Sequence, residues 1–150
     1  MLTKTDANLR TLTLNRPEAL NALNVDMIPS ITAELTKWEN SEATKLIILK
    51  GTGRAFCAGG DVGLSRWSVK AAESEDVAKQ KESVRFFRSE YVLDSFIAKM
   101  STPVHSMEIL FQFTSASSSC NNKTTGGGMG LSMHTPFRIA TEKSRVAMPE

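Results

Sequence analysis

The run Leu46-Ile47-Ile48-Leu49, four apolar residues set between Lys45 and Lys50, constrains this chain more than any other segment. A strand with one wet face would alternate apolar and polar residues. An unbroken aliphatic run bounded by charge marks a strand covered on both sides, which calls for helices packed over a sheet that is at least partly parallel. The preceding residues agree. Leu9 to Asn15 is rich in β-formers, with Leu9, Thr11 and Thr13 on one face and Arg10, Leu12 and Leu14 on the other, and Arg16-Pro17 ends it. Between these two strands Asp26 is expected to cap a helix whose apolar positions Ile28, Ile31, Leu35 and Trp38 step by three and four, with Pro29 tolerated in the first turn. Strand, helix and covered strand in succession predict an α/β domain.

Downstream of Gly51-Thr52-Gly53 a loop from Arg54 to Gly63 is predicted, and Gly53, Gly59, Gly60 and Gly63 allow it unusual backbone angles. Two helical stretches follow, a polar one around Ala71 to Lys81 and a second from about Ser83 to Met100. In the second, Phe86, Glu90, Leu93, Ile97 and Met100 share one face, so Glu90 sits within an apolar stripe. A helix is expected to leave the glycine cluster Gly126 to Gly130 through Leu131 to His134, followed by short strands at Phe137 to Ala140 and Arg145 to Met148. His105 to Thr125 fits none of this. An apolar patch, Met107 to Phe113, passes into the aperiodic polar tract Thr114 to Thr125, which reads as a loop or insert at 105–125.

Composition narrows the partners. The 150 residues, 41% hydrophobic and 23% charged, suit one globular domain or a large part of one. A net charge of +2, from 18 basic and 16 acidic side chains mixed along the chain, builds no concentrated field for nucleic acid or a membrane surface. The longest apolar runs are far shorter than the roughly 20 residues a spanning helix needs. Cys57 and Cys120 suggest neither a metal site nor a disulfide framework. The first residues show no transit peptide. The partner expected is therefore a small molecule, without nucleic acid or membrane.

Chemistry concentrates in two small-residue clusters, Ala58-Gly59-Gly60 and Gly126-Gly127-Gly128. Main-chain N–H groups can crowd a ligand oxygen only where side chains are small, and two such donors stabilise the charge that develops when a carbonyl is attacked or enolised. The second cluster opens a helix, whose dipole adds to this. Taken singly, each cluster also reads as a tight turn. Cys57 lacks a histidine partner in sequence and reads as buried filler. His134 reads as structural.

Three pieces in order, Leu14-Asn15-Arg16-Pro17-Glu18-Ala19-Leu20-Asn21-Ala22-Leu23, Arg54-Ala55-Phe56-Cys57-Ala58-Gly59-Gly60-Asp61 and Gly126-Gly127-Gly128-Met129-Gly130-Leu131-Ser132, resemble the crotonase (enoyl-CoA hydratase/isomerase) superfamily. Phe86-Phe87-Arg88-Ser89-Glu90-Tyr91 and the close through Ala147-Met148-Pro149-Glu150 narrow the likeness to its 3-hydroxyisobutyryl-CoA hydrolases, over residues 9–104 and 126–150. The resemblance implies a crotonase-like spiral of ββα turns, incomplete at the C-terminus, with 105–125 as a non-family insert in place of the strand that delivers the second glycine cluster. It implies an acyl-CoA substrate, with CoA as part of that substrate and no metal or other cofactor. A mitochondrial location and a homo-oligomer once the fold is completed are implied as well. The oxyanion donors would be the amides of Ala58 and Gly127, the catalytic carboxylate Glu150, and the substrate contacts Glu90, Gly127, Ala22 and Asp61. Gly130 stands where hydratases of the superfamily usually carry a second catalytic glutamate, which points away from two-carboxylate hydration. Hydratase or isomerase chemistry is one alternative; an inactive CoA-binding or assembly fragment is another.

Overall fold

The computed structural model describes residues 1–61, 77–107, 122–140 and 144–147. Eight strands and three α-helices lie among them, besides a short 3-10 turn at Pro17–Ala19: β1 Leu2–Asp6, β2 Leu9–Leu14, α1 Met27–Glu39, β3 Leu46–Gly51, β4 Ala55–Cys57, α2 Val77–Lys99, β5 Val104–Met107, β6 Asn122–Thr125, α3 Gly127–Met133, β7 Phe137–Ile139 and β8 Ser144–Ala147. A five-stranded sheet has the order β1-β2-β3-β5-β7, antiparallel at β1–β2 and parallel beyond β2; a three-stranded parallel sheet has the order β4-β6-β8. The chain therefore climbs in repeated turns. Each turn lays one strand in the large sheet (β3, β5, β7) and the next in the small one (β4, β6, β8), and α2 and α3 link successive turns. This is the expected α/β spiral of ββα units.

The covered strand forms as its composition requires. Ile47 and Leu49 are buried beside Leu12 and Leu14 of β2 and Val104 of β5. Helix α1 seals this layer with Met27, Ile28, Ile31, Leu35 and Trp38, and α2 adds Phe86, Leu93 and Ile97. The cap of α1 differs from expectation. Asp26 occupies the cap position but makes no side-chain cap bond; the Met27 amide donates instead to Asn24 Oδ1 at 2.9 Å. At the other end of α1 the Glu39 carboxylate accepts the Ser101 amide at 2.7 Å and the Thr102 amide at 3.1 Å, which ties the helix to the entry of β5.

The tract at 105–125 is also corrected at both ends. Val104–Met107 pairs in parallel with β3 and Asn122–Thr125 with β4, so strand structure reaches into it from either side and β6 leads into the second glycine cluster. A strand was not foreseen in Asn122-Lys123-Thr124-Thr125 because its polar sequence lacks a buried pattern; pairing on both edges supplies what propensity does not. The middle of the tract, 108–121 with Cys120, lies outside the described residues, as do 71–76 of the predicted polar helix.

Asn21 locks the segment after β2. It is fully buried in the left-handed region at φ +58; its Nδ2 donates to the carbonyls of Thr52 and Ala55 at 2.8 Å each, and its Oδ1 accepts the Arg16 amide at 2.8 Å. Replacing it by alanine would strand those buried groups and place a methyl-bearing residue at positive φ. Asn21→Ala should therefore lower unfolding stability by about 2–4 kcal/mol, read as a downward shift of the urea midpoint at unchanged slope.

Candidate active site

Two glycine-lined bends from different turns of the spiral meet at one place. Strands β4 and β6 are parallel neighbours, so their C-terminal ends lie side by side, about 4.8 Å apart. The chain leaves β4 through Ala58-Gly59-Gly60 and β6 through Gly126-Gly127-Gly128. A β-carbon on Gly126 would stand 3.7 Å from the Gly59 Cα, which is ordinary contact. At Gly128 a β-carbon would overlap the Cys57 carbonyl, so only glycine lets the first turn of α3 close on the end of β4. Gly60, Gly126, Gly127 and Gly130 form one side of a cavity of about 680 Å³, and Glu90, Tyr91, Asp94 and Ser95 of α2 form the other, with the exposed His134 beside them.

The amides facing this cavity differ from the expected pair. The Ala58 N–H donates to the Leu20 carbonyl at 3.0 Å, and Ala58 does not line the cavity. That hydrogen bond occupies the Ala58 N–H, and Gly60, two residues along, lines the cavity. Around it the Leu23 amide donates to the Gly59 carbonyl at 2.7 Å and the Asp61 amide to the Leu23 carbonyl at 2.9 Å. In such a parallel bridge the N–H of the intervening residue points away from its neighbour. The amides of Gly60 and Gly127 find no acceptor among the described residues. Both are available to a ligand oxygen.

Glu90 projects into the same space rather than reaching for solvent. It is buried, and a β-carbon on Gly127 would collide with its Oε1, so the carboxyl lies directly against the glycine main chain. Burial pushes the Glu90 carboxyl above its usual range, and the neighbouring Asp94 charge adds to the shift. One turn further along α2, Asp94 does the same opposite Gly130, whose β-carbon would overlap the Asp94 carboxyl. Asp94 is 8% exposed, and among the described residues its Oδ1 has no hydrogen-bond partner. Burial pushes its carboxyl up to about 6. Sequence reasoning missed Asp94, although its i+4 spacing from Glu90 puts it on the same side of the helix.

The other predicted contacts fall elsewhere. Ala22 is buried, with its amide donating to the Ala19 carbonyl at 3.0 Å and its carbonyl accepting Arg16 Nη1 at 2.8 Å. Asp61 Oδ2 receives Arg16 Nη2 at 2.9 Å. Neither lines the cavity; together with Arg16 they brace the loop behind the first glycine bend. Cys57 is fully buried with its thiol pushed up to about 12 by burial, as befits filler. Glu150 lies outside the described residues, with Met148 and Pro149. Among the described residues no three His, Cys, Asp or Glu side chains gather as a metal would require. A second cavity of about 730 Å³ runs along α2; its wall is mainly apolar, from Val84, Phe87, Tyr91, Val92 and Phe96, with Arg88, Ser95 and Lys99 also lining it.

The raised Asp94 carboxyl has a measurable cost. Between its unfolded value of 3.8 and about 6 the folded chain holds a proton that the unfolded chain has released, so stability falls as pH rises through that window and stays lower above it. Asn carries no such charge. Asp94→Asn should be more stable than the parent by about 1–3 kcal/mol at pH 7, with the gap closing below pH 4, as followed by thermal melts across that range.

Comparison with known proteins comes to the same architecture. The family model described as enoyl-CoA hydratase/isomerase matches residues 9–150. The human mitochondrial 3-hydroxyisobutyryl-CoA hydrolase is 42% identical over 140 residues, covering 93% of this chain and 31% of the human protein. The small ribosomal subunit protein mS47 of Neurospora crassa is also 42% identical, over 95% of this chain and 25% of its own length. Among solved structures, an enoyl-CoA hydratase from Rhodobacter sphaeroides superposes with a TM-score of 0.78 at 29% identity, covering 98% of this chain and 39% of that one. The chain thus spans between a quarter and a third of the length of these curated relatives.

Proposed function

The chain belongs to the enoyl-CoA hydratase/isomerase family, and from that premise we propose that it handles an acyl-CoA thioester by hydrolysis, with a short branched 3-hydroxyacyl group such as 3-hydroxyisobutyryl as substrate, as in valine breakdown. The observation that carries this reading is the convergence of the Gly60 and Gly127 amides and the Glu90 carboxyl on one cavity. The thioester carbonyl oxygen lies between the two amides, whose preorganised dipoles stabilise the oxyanion as the carbonyl carbon is attacked. Glu150, aligned by resemblance with the family's catalytic carboxylate, either attacks the carbonyl carbon, expelling the thiolate to leave an anhydride that water then hydrolyses, or takes a proton from the water that attacks as the carbon–sulfur bond breaks. Glu90, whose burial favours the protonated form, contacts the acyl group and is suited to return a proton to the departing sulfur. The products are the free acid and the CoA thiol. CoA enters with the substrate, and no metal or further cofactor is called for. The glycine at position 130 supports hydrolysis over hydration. The name of the human hydrolase relative supports a mitochondrial setting.

The mS47 match supports a second reading, in which the chain binds or assembles without turnover. Release of free thiol from 3-hydroxyisobutyryl-CoA separates the two, and crotonyl-CoA in parallel tests hydration. Thiol release should fall by about 10²- to 10⁴-fold in Glu150→Gln and in Glu90→Gln. Absence of release by the parent chain, with acyl-CoA still bound, would overturn hydrolysis in favour of the assembly reading.

A further inference from the structure

We propose that Asp94 is the specificity-determining residue of the cavity, accepting or donating a hydrogen bond to a hydroxyl on the third carbon of the acyl chain; this rests on the thioester reading above. The residue is 8% exposed on the cavity wall, and its Oδ1 has no partner among the described residues. A buried carboxyl oxygen left unpaired is costly, and a ligand group that pairs with it recovers that cost. The spacing selects the group. Asp94 packs on Gly130 and Glu90 on Gly127, positions three apart on α3 and therefore about 4.5 Å apart along its axis. From a carbonyl held at Gly127, two carbon–carbon bonds and one carbon–oxygen bond span about 4 Å, which brings a 3-hydroxyl to Asp94. An acyl chain lacking that hydroxyl leaves the oxygen unpaired, as it is in the free chain, and gains nothing from Asp94, so the site favours the hydroxylated chain.

The test compares 3-hydroxyisobutyryl-CoA with isobutyryl-CoA on the 150-residue chain, by equilibrium titration and by thiol release. The parent should bind the hydroxylated ligand about 10- to 100-fold more tightly. Asp94→Ala should lose that preference while its Kd for isobutyryl-CoA moves less than about threefold, and Asp94→Asn, whose amide still pairs with a hydroxyl, should keep part of it. A parent without preference, or an Asp94→Ala chain that retains it, overturns the proposal. Should Asp94→Ala not fold, difference infrared spectra of the parent decide. The carboxyl band that Asp94→Asn lacks should shift with 3-hydroxyisobutyryl-CoA and not with isobutyryl-CoA, and an unmoved band overturns the assignment. Preference without thiol release would uphold Asp94 as a binding determinant and sink hydrolysis; thiol release without preference would do the reverse. Binding of neither ligand would overturn both.

Discussion

The parallel pairing of β4 with β6 is the contact on which the site depends. Each is a strand of three or four residues, too short to be stable alone, yet their alignment brings two bends from sequence positions almost seventy residues apart to a common edge. The bends can touch only because they lack side chains. With Gly128 closing on the Cys57 carbonyl and Gly126 against Gly59, the first turn of α3 comes close enough for Gly60 and Gly127 to face the same cavity. Antiparallel pairing would have sent the bends to opposite ends of the small sheet.

Helix α2 supplies the opposing wall by a steric match. Residues four apart on α2, Glu90 and Asp94, fall opposite residues three apart on α3, Gly127 and Gly130, so each carboxyl fills the gap of a missing side chain. Leu93 and Ile97 anchor the same helix in the core, which fixes the direction of the carboxyls. Two acids buried this close work against folding, since burial disfavours both charged forms and the Asp94 charge further disfavours that of Glu90. A purely structural helix would gain stability with apolar residues at both positions. That the chain carries acids there is an argument from energetics for a role in binding or chemistry.

Behind the first bend, residues implied as substrate contacts serve to position it. Arg16 bridges the Ala22 carbonyl and the Asp61 carboxylate, and Asn21 joins three backbone groups of neighbouring segments. The Ala58 amide is drawn into this framework by the Leu20 carbonyl, which leaves Gly60, two residues along, to line the cavity. Which amide of this loop is left without an acceptor among the described residues depends on a bond to a segment over thirty residues away.

By itself the sequence determined the layers: the aliphatic run of β3, the three-and-four stepping of α1 and the stripe of α2 carry periodicities that local geometry converts directly into elements. It also carried the family likeness through its ordered glycine motifs and singled out Glu90. Tertiary structure decided what has no local signal. Asn122–Thr125 is a strand because β4 and β8 flank it, Asn24 rather than Asp26 caps α1 because of how the loop enters, and Gly60 rather than Ala58 faces the cavity because Leu20 takes the other amide. Asp94 became part of the site only when Gly130 was seen to leave room for it. Local patterns record which face of a segment is buried, while the partner that buries it, and the hydrogen bonds left over, are set by segments distant in the chain.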